Sequence, residues 1–580
     1  MRSSLLFIAF VLIHSLSSAQ SIQWASRIGN IHSDKLTCVK SDGLGYIYIA
    51  GYFSDSIKIG TNNLSLTYVA VPDSKEAFIA KLDSNGYCYW AKAGGQYFDD
   101  RVLGMDVDSL GNSVITGTFW EGSGILFPPI NITGYTYGAG DQCFILKLDP
   151  NGNPLWGNFV CGNQYGDDQG HDVAIDKKGN IYTAGFMTDS LLYCGGASVT
   201  AVNPNSGDHK YCYWLSKMNK DGVFQWARTF GSLPWDPVTF KYIERDIAIC
   251  VDESNGVYVT GGFDSTRKFG NDTFTTLGGY DCFVIKYDSF GTFKWATHAG
   301  SNDDDWANGI CSDKNGNIYI TGEHRDSLFM DTVLVKNYDK RDVFVFKMNA
   351  QTGKPYWGKR AGSDLGSERG NDVWADKNCN VYVCGDINDG AKFGDSLVLP
   401  VNGLGVQSFV ARISTEGKWK WVKTGGGLGD DDRGNAIVKG KGNQLYLAGF
   451  FRNAATYGST QLTGAGSSDG FFIRMRDSMY KTTCVELSVQ ELQGQTAFIS
   501  DPVPNPSNGE ATITYGLPVG ARSGTIAVYG MTGQLLQTYT VSDRSNSVRV
   551  GSGNLPNGIY MYQLQTPSGV SEVKKMIVNR

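Results

Sequence analysis

The chain has 580 residues, a net charge of −6, 73 glycines, 16 prolines and 12% aromatic residues. This length excludes one ordinary globular core unless the core is a barrel, a propeller or an array of repeats. The aromatic content excludes a flexible low-complexity chain, so the glycines indicate many short strands joined by tight turns. Because the part from Asp501 onward carries +2 and Arg2 adds one more, residues 20–500 carry −9, which argues against nucleic acid or anionic lipid as a partner.

The N-terminus has the pattern of a secretory signal peptide. Arg2 precedes an apolar run from Leu5 to Ile13, and small residues follow at Ser17–Ala19. This run is too short to cross a bilayer as a helix, and no later segment is long and apolar enough to form a transmembrane helix. We therefore expect residues 1–19 to be removed and the mature protein to be soluble or attached by other means.

Residues 20–479 contain seven copies of one repeat, in which the same markers recur: a glycine that ends a strand, a cation three residues after an aromatic side chain, and a tryptophan. The tryptophans are Trp24, Trp90, Trp156, Trp226, Trp295, Trp357 and Trp421. The cations are Lys81, Lys147, Lys217, Lys286, Lys347, Arg412 and Arg474. Short alternating runs between turn signals predict four strands per copy. Seven such units predict an all-β, seven-bladed β-propeller.

The spacing within a repeat gives two further expectations. The aromatic residue and the cation lie three apart on the third strand, so we expect the ring in the packing between sheets and the charge in solvent. The mature chain begins with a fourth-strand sequence, and the last copy has no fourth strand of its own. An N-terminal strand that completes the last blade would close the ring and leave no open sheet edge.

The units resemble the SBBP-type family of seven-bladed propeller repeats found in bacterial exported proteins. The resemblance covers roughly residues 20 to 480 and all seven copies. It implies the fold and says almost nothing about activity.

One acidic pattern, D-x-x-G-N, occurs at Asp108–Asn112, Asp176–Asn180 and Asp313–Asn317. A calcium loop starting at Asp313 would need glycine at its sixth position and glutamate at its twelfth, where the sequence has Ile318 and His324. The pattern instead predicts hairpin turns in which the Asp side chain accepts hydrogen bonds from turn amides. In another copy Cys379 replaces the glycine, which predicts a strained or altered turn.

A second acidic pattern follows the tryptophan strands, where a glycine is followed five residues later by aspartate. The six aspartates are Asp34, Asp100, Asp167, Asp236, Asp305 and Asp431. In a propeller they would lie where the chain crosses between blades, as a ring around the channel on one face. The favoured interpretation is structural, with each carboxylate accepting amide hydrogen bonds, and the alternative is a site for a divalent cation or a cationic ligand. No other cofactor is predicted.

The sequence shows no catalytic residue. Gly466–Gly470 matches G-x-S-x-G, but it precedes a propeller strand and not the strand-to-helix elbow that a nucleophile requires. Segments such as "DSFGTFKW" resemble the tryptophan-docking repeats of quinoprotein propellers, in which these residues lock blades together. Lone carboxylates from different blades could still pair for glycoside chemistry, so an enzyme stays as the less favoured alternative.

From Asp501 the pattern changes to alternating strands around Gly533 and Gly558, which predicts a small Ig-like β-sandwich at residues 501–580 after a linker at 480–500. This module resembles the type A C-terminal sorting domain of the type IX secretion system. The residues that carry the resemblance are Pro504, Asn505, Pro506, Gly533, Gly558, Tyr560, Lys574 and Lys575. It implies that the secretion machinery is a partner and that the body is secreted or attached to the outer-membrane surface. An ordinary Ig-like adhesion module is the alternative.

Two functions follow from these features. The first is a surface binding, adhesion or scaffold protein, expected to be a monomer, with a glycan or protein ligand; the second is a secreted enzyme acting on polysaccharide. Longer loops in the second and third copies and an insertion at residues 232–245 bring in extra aromatic residues. Aromatic loops with few charges suit recognition of glycans or proteins, so we predict a ligand site around Trp120, Tyr193 and Trp235.

Overall fold

The structure is a computed structural model, and it consists of β-strands with no helix among the residues it describes. Those residues are 20–60, 64–67, 74–95, 98–120, 124–134, 140–162, 167–187, 191–195, 199–202, 212–231, 235–236, 241–242, 247–338, 340–364, 366–394, 397–400, 405–428, 431–480, 498–500, 502, 505–508, 510–517, 521–542, 547–551, 555–566, 569–571 and 573–579. The predicted signal peptide and most of the predicted linker lie outside these ranges. Within them, no helix long and apolar enough to span a membrane occurs.

The chain divides into two compact units, Met1–Cys484 and Val485–Arg580. The first unit contains seven antiparallel sheets in which four strands have the same order, and we number them repeat sheets 1 to 7 along the chain. In each sheet the strands pair in the order first, second, third, fourth. The segment that leads from the fourth strand of one sheet to the first strand of the next is called a crossing.

The N-terminal strand is β1 (Gln20–Ile28), and repeat sheets 1 to 3 follow it. Sheet 1 contains β2 (Lys35–Ser41), β3 (Ile47–Phe53), β6 (Glu76–Leu82) and β7 (Cys88–Gly94), with the hairpin β4 (Ser56–Ile59) and β5 (Leu64–Thr67). Sheet 2 contains β8 (Arg101–Val107), β9 (Ser113–Trp120), β12 (Asp141–Leu148) and β13 (Pro154–Cys161), with the hairpin β10 (Ile125–Phe127) and β11 (Ile130–Ile132). Sheet 3 contains β14 (Gln169–Ile175), β15 (Ile181–Met187), β18 (Cys212–Met218) and β19 (Phe224–Phe230), with the hairpin β16 (Leu191–Cys194) and β17 (Val199–Val202).

The pair β20 (Trp235–Asp236) and β21 (Lys241–Tyr242) lies in the crossing to sheet 4. Sheet 4 contains β22 (Ala248–Val251), β23 (Val257–Phe269), β24 (Asp272–Tyr287) and β25 (Phe293–Ala299). Sheet 5 contains β26 (Asp305–Ser312), β27 (Asn317–His324), β30 (Asp342–Asn349) and β31 (Pro355–Gly362), with the hairpin β28 (Leu328–Met330) and β29 (Val333–Val335). Sheet 6 contains β32 (Arg369–Ala375), β33 (Val381–Ile387), β36 (Gln407–Ile413) and β37 (Trp419–Gly425), with the hairpin β34 (Lys392–Phe393) and β35 (Leu397–Val398).

Sheet 7 takes its fourth strand from the other end of the unit. It contains β38 (Arg433–Lys439), β39 (Gln444–Phe451) and β42 (Asp469–Asp477), with the hairpin β40 (Ala454–Tyr457) and β41 (Thr460–Thr463). The N-terminal β1 pairs antiparallel with β42, from Gln20 opposite Asp477 to Ile28 opposite Gly470. This pairing confirms the prediction that the N-terminal strand completes the last repeat.

The repeat sheets pack side by side in a closed cycle. The first strands β2, β8, β14, β22, β26, β32 and β38 contact one another in this order, and β38 contacts β2. Seven apolar clusters fill the spaces between consecutive sheets, and one of them lies between sheets 7 and 1. The core is therefore distributed over the junctions between sheets and is not one central mass. This arrangement is that of propeller-like repeats.

The repeated Tyr, Lys and Trp markers meet at these junctions. Lys81 Nζ and Trp90 Nε1 each donate a hydrogen bond of 3.1 Å to the main-chain oxygen of Pro150, in the turn between the third and fourth strands of sheet 2. The Tyr48 ring lies 5.3 Å from Lys81 Nζ and edge-on to Trp90. We call this arrangement of tyrosine, cation, tryptophan and carbonyl the junction latch. The same two donors meet at three later junctions, on the oxygens of Lys220, Ser289 and Thr415.

The predicted exposure of the repeated cations is therefore wrong. Lys81, Lys147, Lys286, Lys347 and Arg412 are only 3% to 9% exposed. Neighbouring sheets cover both faces of the third strand, so the side opposite the aromatic ring is no more solvated than the ring itself. The buried ammonium groups are stabilised by the turn carbonyl and by the tyrosine face.

The D-x-x-G-N turns have the predicted hydrogen bonds. Asp313 Oδ1 accepts from the main-chain amides of Asn315 and Asn317 at 2.8 and 3.2 Å, and Gly316 has a φ of +85°. Cys379 takes the place of that glycine at a φ of +63° and keeps the turn hydrogen bond to Asp376. Cys379 is disulfide-bonded.

The second unit contains two sheets around one apolar core. The first consists of β43 (Phe498–Ile499), β44 (Glu510–Gly516) and β47 (Ser547–Gly551). The second consists of β45 (Ser523–Tyr529), β46 (Leu535–Ser542), β48 (Gly558–Thr566), β49 (Gly569–Val570) and β50 (Lys574–Val578). Side chains of both sheets, such as Ile513 and Tyr562, are buried in the shared core.

Candidate functional site

The first strands of the repeat sheets surround a cavity of about 820 Å³. It is the space around the axis of the closed cycle, and polar as well as apolar side chains line it. One end of the cavity lies at the crossings and at the hairpins between second and third strands; we call this end the crossing face. The D-x-x-G-N turns lie at the other end.

The structure changes the predicted acidic ring in two respects. The first is register: the buried crossing carboxylates are Asp34, Asp100, Asp168, Asp305, Glu368 and Asp432, each at most 2% exposed. Asp168 and Asp432 thus take the places expected for Asp167 and Asp431, and Glu368 supplies an acid where Ser367 had left a gap. Asp236 lies in β20, and its side chain is outside the described part of the structure. The second difference is the direction of the side chains, because none of these six carboxylates lines the cavity.

These carboxylates join the crossing to the second strand of the sheet that follows. Asp34 accepts hydrogen bonds from the Asn30 amide at 2.8 Å and from the Ser54 amide at 3.2 Å, which lies just after β3. Asp432 does the same with Gly427 at 2.6 Å and Arg452 at 3.1 Å. This geometry supports a structural role, because a carboxylate that accepts two buried amides leaves neither of them unsatisfied.

Four of the crossing acids lie beside a second acid, at the start of the third strand of the preceding sheet. The pairs are Asp34 with Asp469, Asp100 with Glu76, Asp305 with Asp281, and Glu368 with Asp342. Burial, with repulsion from Asp469, raises the pKa of Asp34 to about 7. Burial likewise raises the pKa of Glu76 and of Asp342 to about 8. Burial of two neighbouring carboxyl groups therefore favours the protonated form of these acids.

The glycine of the pattern has a steric cause at these pairs. A Cβ added to Gly29 would lie 2.7 Å from Asp469 Oδ1 and 2.8 Å from Asp34 Oδ2. Across the described ranges, no group of three or more His, Cys, Asp or Glu side chains is placed to hold a metal ion. At Gly29, the glycine of the pattern leaves room for two neighbouring carboxyl groups.

The residue after five of these six acids lines the cavity, whereas Trp306, which follows Asp305, is buried in an apolar cluster between sheets. Side chains alternate along a strand, so a buried acid turns its successor towards the axis. Four of these successors are cations, and we call them the cationic mouth: Lys35, Arg101, Arg369 and Arg433. The crossing end of the cavity is therefore positively charged, whereas a ring of aspartates was expected.

Acidic partners are unevenly distributed around the cationic mouth. Arg369 Nε lies 2.9 Å from Glu323, and Arg101 lies 2.7 Å from Asp99. Arg433 is 3.8 Å from Asp431, near the limit for an ion pair. For Lys35, no carboxylate within 4.0 Å of Nζ occurs in the described ranges, and its ammonium lies 4.3 Å from the centre of the Phe450 ring.

The neighbourhood of Lys35 is positive. Burial lowers the pKa of Lys35 to about 8, and Arg433, Arg452, Lys75 and Arg101 act in the same direction. Such a pKa for a lysine means that proton binding is opposed both by desolvation and by like charges. An anion at this position would relieve that repulsion.

A second charged cluster lies deeper in the cavity, and sequence reasoning missed it. Burial disfavours the charged form of Lys40, but Asp106, Asp172 and Asp372 together raise its pKa above the ordinary value. The carboxylates also accept amides of adjacent first strands, as Asp106 does from Ile175 at 2.8 Å. Local sequence patterns do not show the cluster, because Lys40 and the three aspartates come from four different repeats and meet only in the folded chain.

The three predicted ligand residues do not form one cluster. Trp120 ends β9, and its ring lies 5.6 Å from the ring of Phe98, which is 49% exposed. Tyr193 lies in β16, which pairs with the outer edge of β13 in sheet 2. Since β12 and β13 separate it from β9, its strand is ~14 Å from that of Trp120. The side chain of Trp235 is outside the described part of the structure.

The predicted sorting residues hold the last strand of the second unit. Asn505 Oδ1 accepts from the Ile577 amide at 2.8 Å, and the Asn505–Pro506 bond is cis. Gly533 has a φ of +82° in the turn between β45 and β46, and Tyr560 Oη donates to the Pro556 oxygen at 2.6 Å. Gly558 pairs with Val578, while Lys574 and Lys575 lie in β50 opposite Tyr562 and Met561. Pro504 lies outside the described residues.

Comparisons with known proteins identify two segments. The family model described as "Secretion system C-terminal sorting domain" matches residues 503–579, and the one described as "Beta-propeller repeat" matches residues 294–323. The curated "Uncharacterized WD repeat-containing protein L264" of Acanthamoeba polyphaga mimivirus is 23% identical over an alignment of 344 residues, and the match covers 49% of this chain and 23% of that protein's length. The solved structure of dimeric latent PorU from Porphyromonas gingivalis has 12% identity and a TM-score of 0.13, and the match covers 70% of this chain and 32% of that one.

Both matched segments agree with the structure around them. Residues 294–323 run from the fourth strand of repeat sheet 4 into the second strand of sheet 5, and residues 503–579 make up most of the second unit. The chain is thus identified as one that carries β-propeller repeats and, at its C-terminus, the sorting domain of the type IX secretion system, which directs it to export and to secretion or attachment at the cell surface.

Proposed function

We propose that the exported body, residues 20–479, is a seven-bladed β-propeller that binds glycans at the cell surface. In this proposal, residues 1–19 are the signal peptide, residues 480–500 the linker and residues 501–580 an Ig-like sorting module. The closed cycle of first strands and the pairing of β1 with β42 support the propeller. The two sheets around one core in the second unit support the sandwich.

The observation that carries the binding function is the pairing of aromatic and cationic side chains on the crossing face. The exposed Phe98 and the partly buried Trp120 form an aromatic pair, and Arg101 of the cationic mouth follows Phe98 by three residues. Three residues of chain span at most ~11 Å, so the pair lies at the rim of the cavity. Aromatic faces stack on the apolar face of a sugar ring, and charged donors bind its polar groups.

The crossing face is also asymmetric, because the repeats differ in the residue that follows the crossing acid. At the first-strand position that directly follows the crossing acid, repeats 1, 2, 6 and 7 supply cations in the described structure, while Gln169 and Trp306 occupy this position in repeats 3 and 5. A ligand site needs such asymmetry, because a sevenfold-repeated surface would present identical groups all round the axis. Packing of the fold alone would not require Trp120 to lie beside the half-exposed Phe98.

The crossing acid pairs give no support to the enzymatic alternative. Glycoside hydrolysis needs two carboxyl groups that flank an accessible bond. The four crossing acid pairs are carboxyl neighbours, but their crossing members are at most 2% exposed and do not line the cavity. They are not placed to reach a substrate.

Binding of a glycan library by the mature full-length chain would test the function. Trp120→Ala should weaken binding to any glycan found by roughly tenfold or more, because a stacking anchor is lost. Phe290→Ala is the matched control, since Phe290 is 80% exposed in a turn at the opposite end of the repeats. Equal effects of the two variants, or no glycan bound by the wild type, would contradict the proposal.

A further inference from the structure

The cationic mouth is unusual for its surroundings. Residues 20–500 carry a net charge of −9, yet four cations converge on one end of the cavity. Within this group, Lys35 and Arg433 have the weakest acidic compensation: an ion pair at 3.8 Å for Arg433, and none for Lys35 in the described ranges. The excess positive charge is thus concentrated where repeats 7 and 1 meet.

Lys35 and Arg433 are held close together by one aromatic ring. Lys35 Nζ lies 4.3 Å and the Arg433 guanidinium carbon 5.7 Å from the centre of the Phe450 ring. The two charges are therefore no more than about 10 Å apart. The Arg433 side chain is 31% exposed, so a solute can reach it from the cavity mouth.

We propose that Lys35 and Arg433 bind the carboxylate or sulfate group of an acidic glycan, whose neighbouring sugar stacks on Phe98 and Trp120. The inference rests on the proposed function and specifies the class of glycan. An oxyanion between the two cations would accept charge-assisted hydrogen bonds from both and would replace the missing acidic partner of Lys35. Arginine suits this role because its planar donors match the oxygens of a carboxylate or sulfate.

The aromatic pair distinguishes a sugar acid from a free anion. A free sulfate or carboxylate would use the cations alone and would gain nothing from Phe98 or Trp120. An acidic sugar would use both, since it carries an apolar ring face beside its charged group. A neutral glycan would use only the aromatic pair and leave Lys35 without an anion.

Titration calorimetry of the mature full-length chain tests the proposal with three polymers of similar length: dextran, sulfated dextran and oligogalacturonate. Lys35→Met and Arg433→Met should each weaken binding of the acidic polymers roughly tenfold or more, the usual loss when one charged partner of a hydrogen bond is removed. Lys35→Arg keeps the charge and should retain most of the affinity. Lys220→Met removes an exposed lysine in a turn at the opposite end and should leave binding unchanged.

Several outcomes would overturn the inference. Acidic polymers that bind Lys35→Met and Arg433→Met as tightly as the wild type would exclude the site, and an equal loss in Lys220→Met would show a nonspecific charge effect. Sodium sulfate that binds as tightly as sulfated dextran would show a site for the free anion only. If dextran binds as well as the acidic polymers and only Trp120→Ala weakens it, the proposed function stands and the inference fails. If none of the three polymers binds, the acidic-glycan site is refuted, and the glycan library then decides the broader function.

Discussion

Trp90 donates a hydrogen bond of 3.1 Å from its indole Nε1 to the main-chain oxygen of Pro150, which belongs to the next repeat sheet. The glycine two residues later explains why the ring fits, because a Cβ on Gly152 would lie 2.6 Å from the Trp90 ring. The contact between sheets therefore adds a steric reason for this turn glycine, which also has a φ of +79°.

The junction latch should contribute measurably to stability. Lys147→Met removes the donor that lies 2.9 Å from the Lys220 oxygen and should lower the free energy of unfolding by ~1.5–3 kcal/mol, because a charge-assisted hydrogen bond is lost from a buried carbonyl. Urea denaturation followed by tryptophan fluorescence measures the change. Lys420→Met, at an exposed position on β37, should shift it by less than ~0.5 kcal/mol. Comparable shifts in both variants would show that the latch carries no special energy.

The buried acid pairs should make the propeller less stable as the pH rises. Their pKa values in the folded state are raised, to about 7 for Asp34 and about 8 for Glu76 and Asp342, whereas unfolded carboxyl groups ionise near pH 4. Between these values the folded state holds more protons than the unfolded state, so stability is greatest near the acidic end and falls as pH approaches about 8. The melting temperature should therefore be lower at about pH 8 than at about pH 5.5.

A variant separates this effect from other titrations. Glu76→Gln replaces an acid by the amide that repeats 2 and 6 already have at the same position, as Gln142 and Gln407. It should stabilise the protein at about pH 8 and flatten the pH dependence, since one buried proton no longer has to be retained. A melting curve with the same pH slope as the wild type would contradict the assignment of Glu76.

The sequence predicted the repeat markers and the closure by β1, because strand period and turn chemistry are local properties. It did not predict the burial of the Lys81 side chain. The two-residue period of a strand shows which face a side chain takes, but it does not show what covers that face. Lys81 is buried because another sheet lies there. The prediction of an acidic ring around the channel was wrong for a similar reason. Some crossings are one residue longer, so Asp168 replaces Asp167 there. Asp34 stands at its predicted position, but its carboxylate accepts buried amides and does not face the cavity.

The cationic mouth could have been predicted from the sequence, because each of its four cations directly follows a crossing acid. Lys35 and Arg433, however, are separated by most of the chain, and their shared contact with Phe450 depends on the closed cycle of sheets. Only the folded structure brings residues of repeats 1 and 7 together.

Removing β1 should open the cycle. Without Gln20–Ile28, the third strand β42 would present an unpaired edge beside the cluster between sheets 7 and 1. Such an edge pairs readily with other chains, so the truncated protein should aggregate or lose cooperative unfolding, as size-exclusion chromatography and thermal melting would show. Deleting the short β20–β21 segment, Trp235–Tyr242, is a control that leaves every repeat sheet intact. A β1 truncation that stays monomeric and melts like the wild type would refute this expectation.

The sorting module should depend on Asn505. Asn505→Ala removes the oxygen that accepts the Ile577 amide and should loosen β50, so that less protein reaches the cell surface and more stays in the periplasm. Asn505→Asp keeps an acceptor at this place and should sort almost normally.

Deleting residues 501–580 should trap the propeller in the periplasm. Fractionation with immunoblotting measures all three, and normal surface amounts of the deletion would contradict the role of the module.

The pairing of β1 with β42 also sets the order in which the molecule can be completed. The strand that leaves the ribosome first has its partner among the last residues of the propeller, so the final sheet cannot form until nearly the whole body is available. Until then, the earlier sheets form an incomplete ring. The contact between β1 and β42 joins residues that are far apart in sequence, so it should form more slowly than a local hairpin.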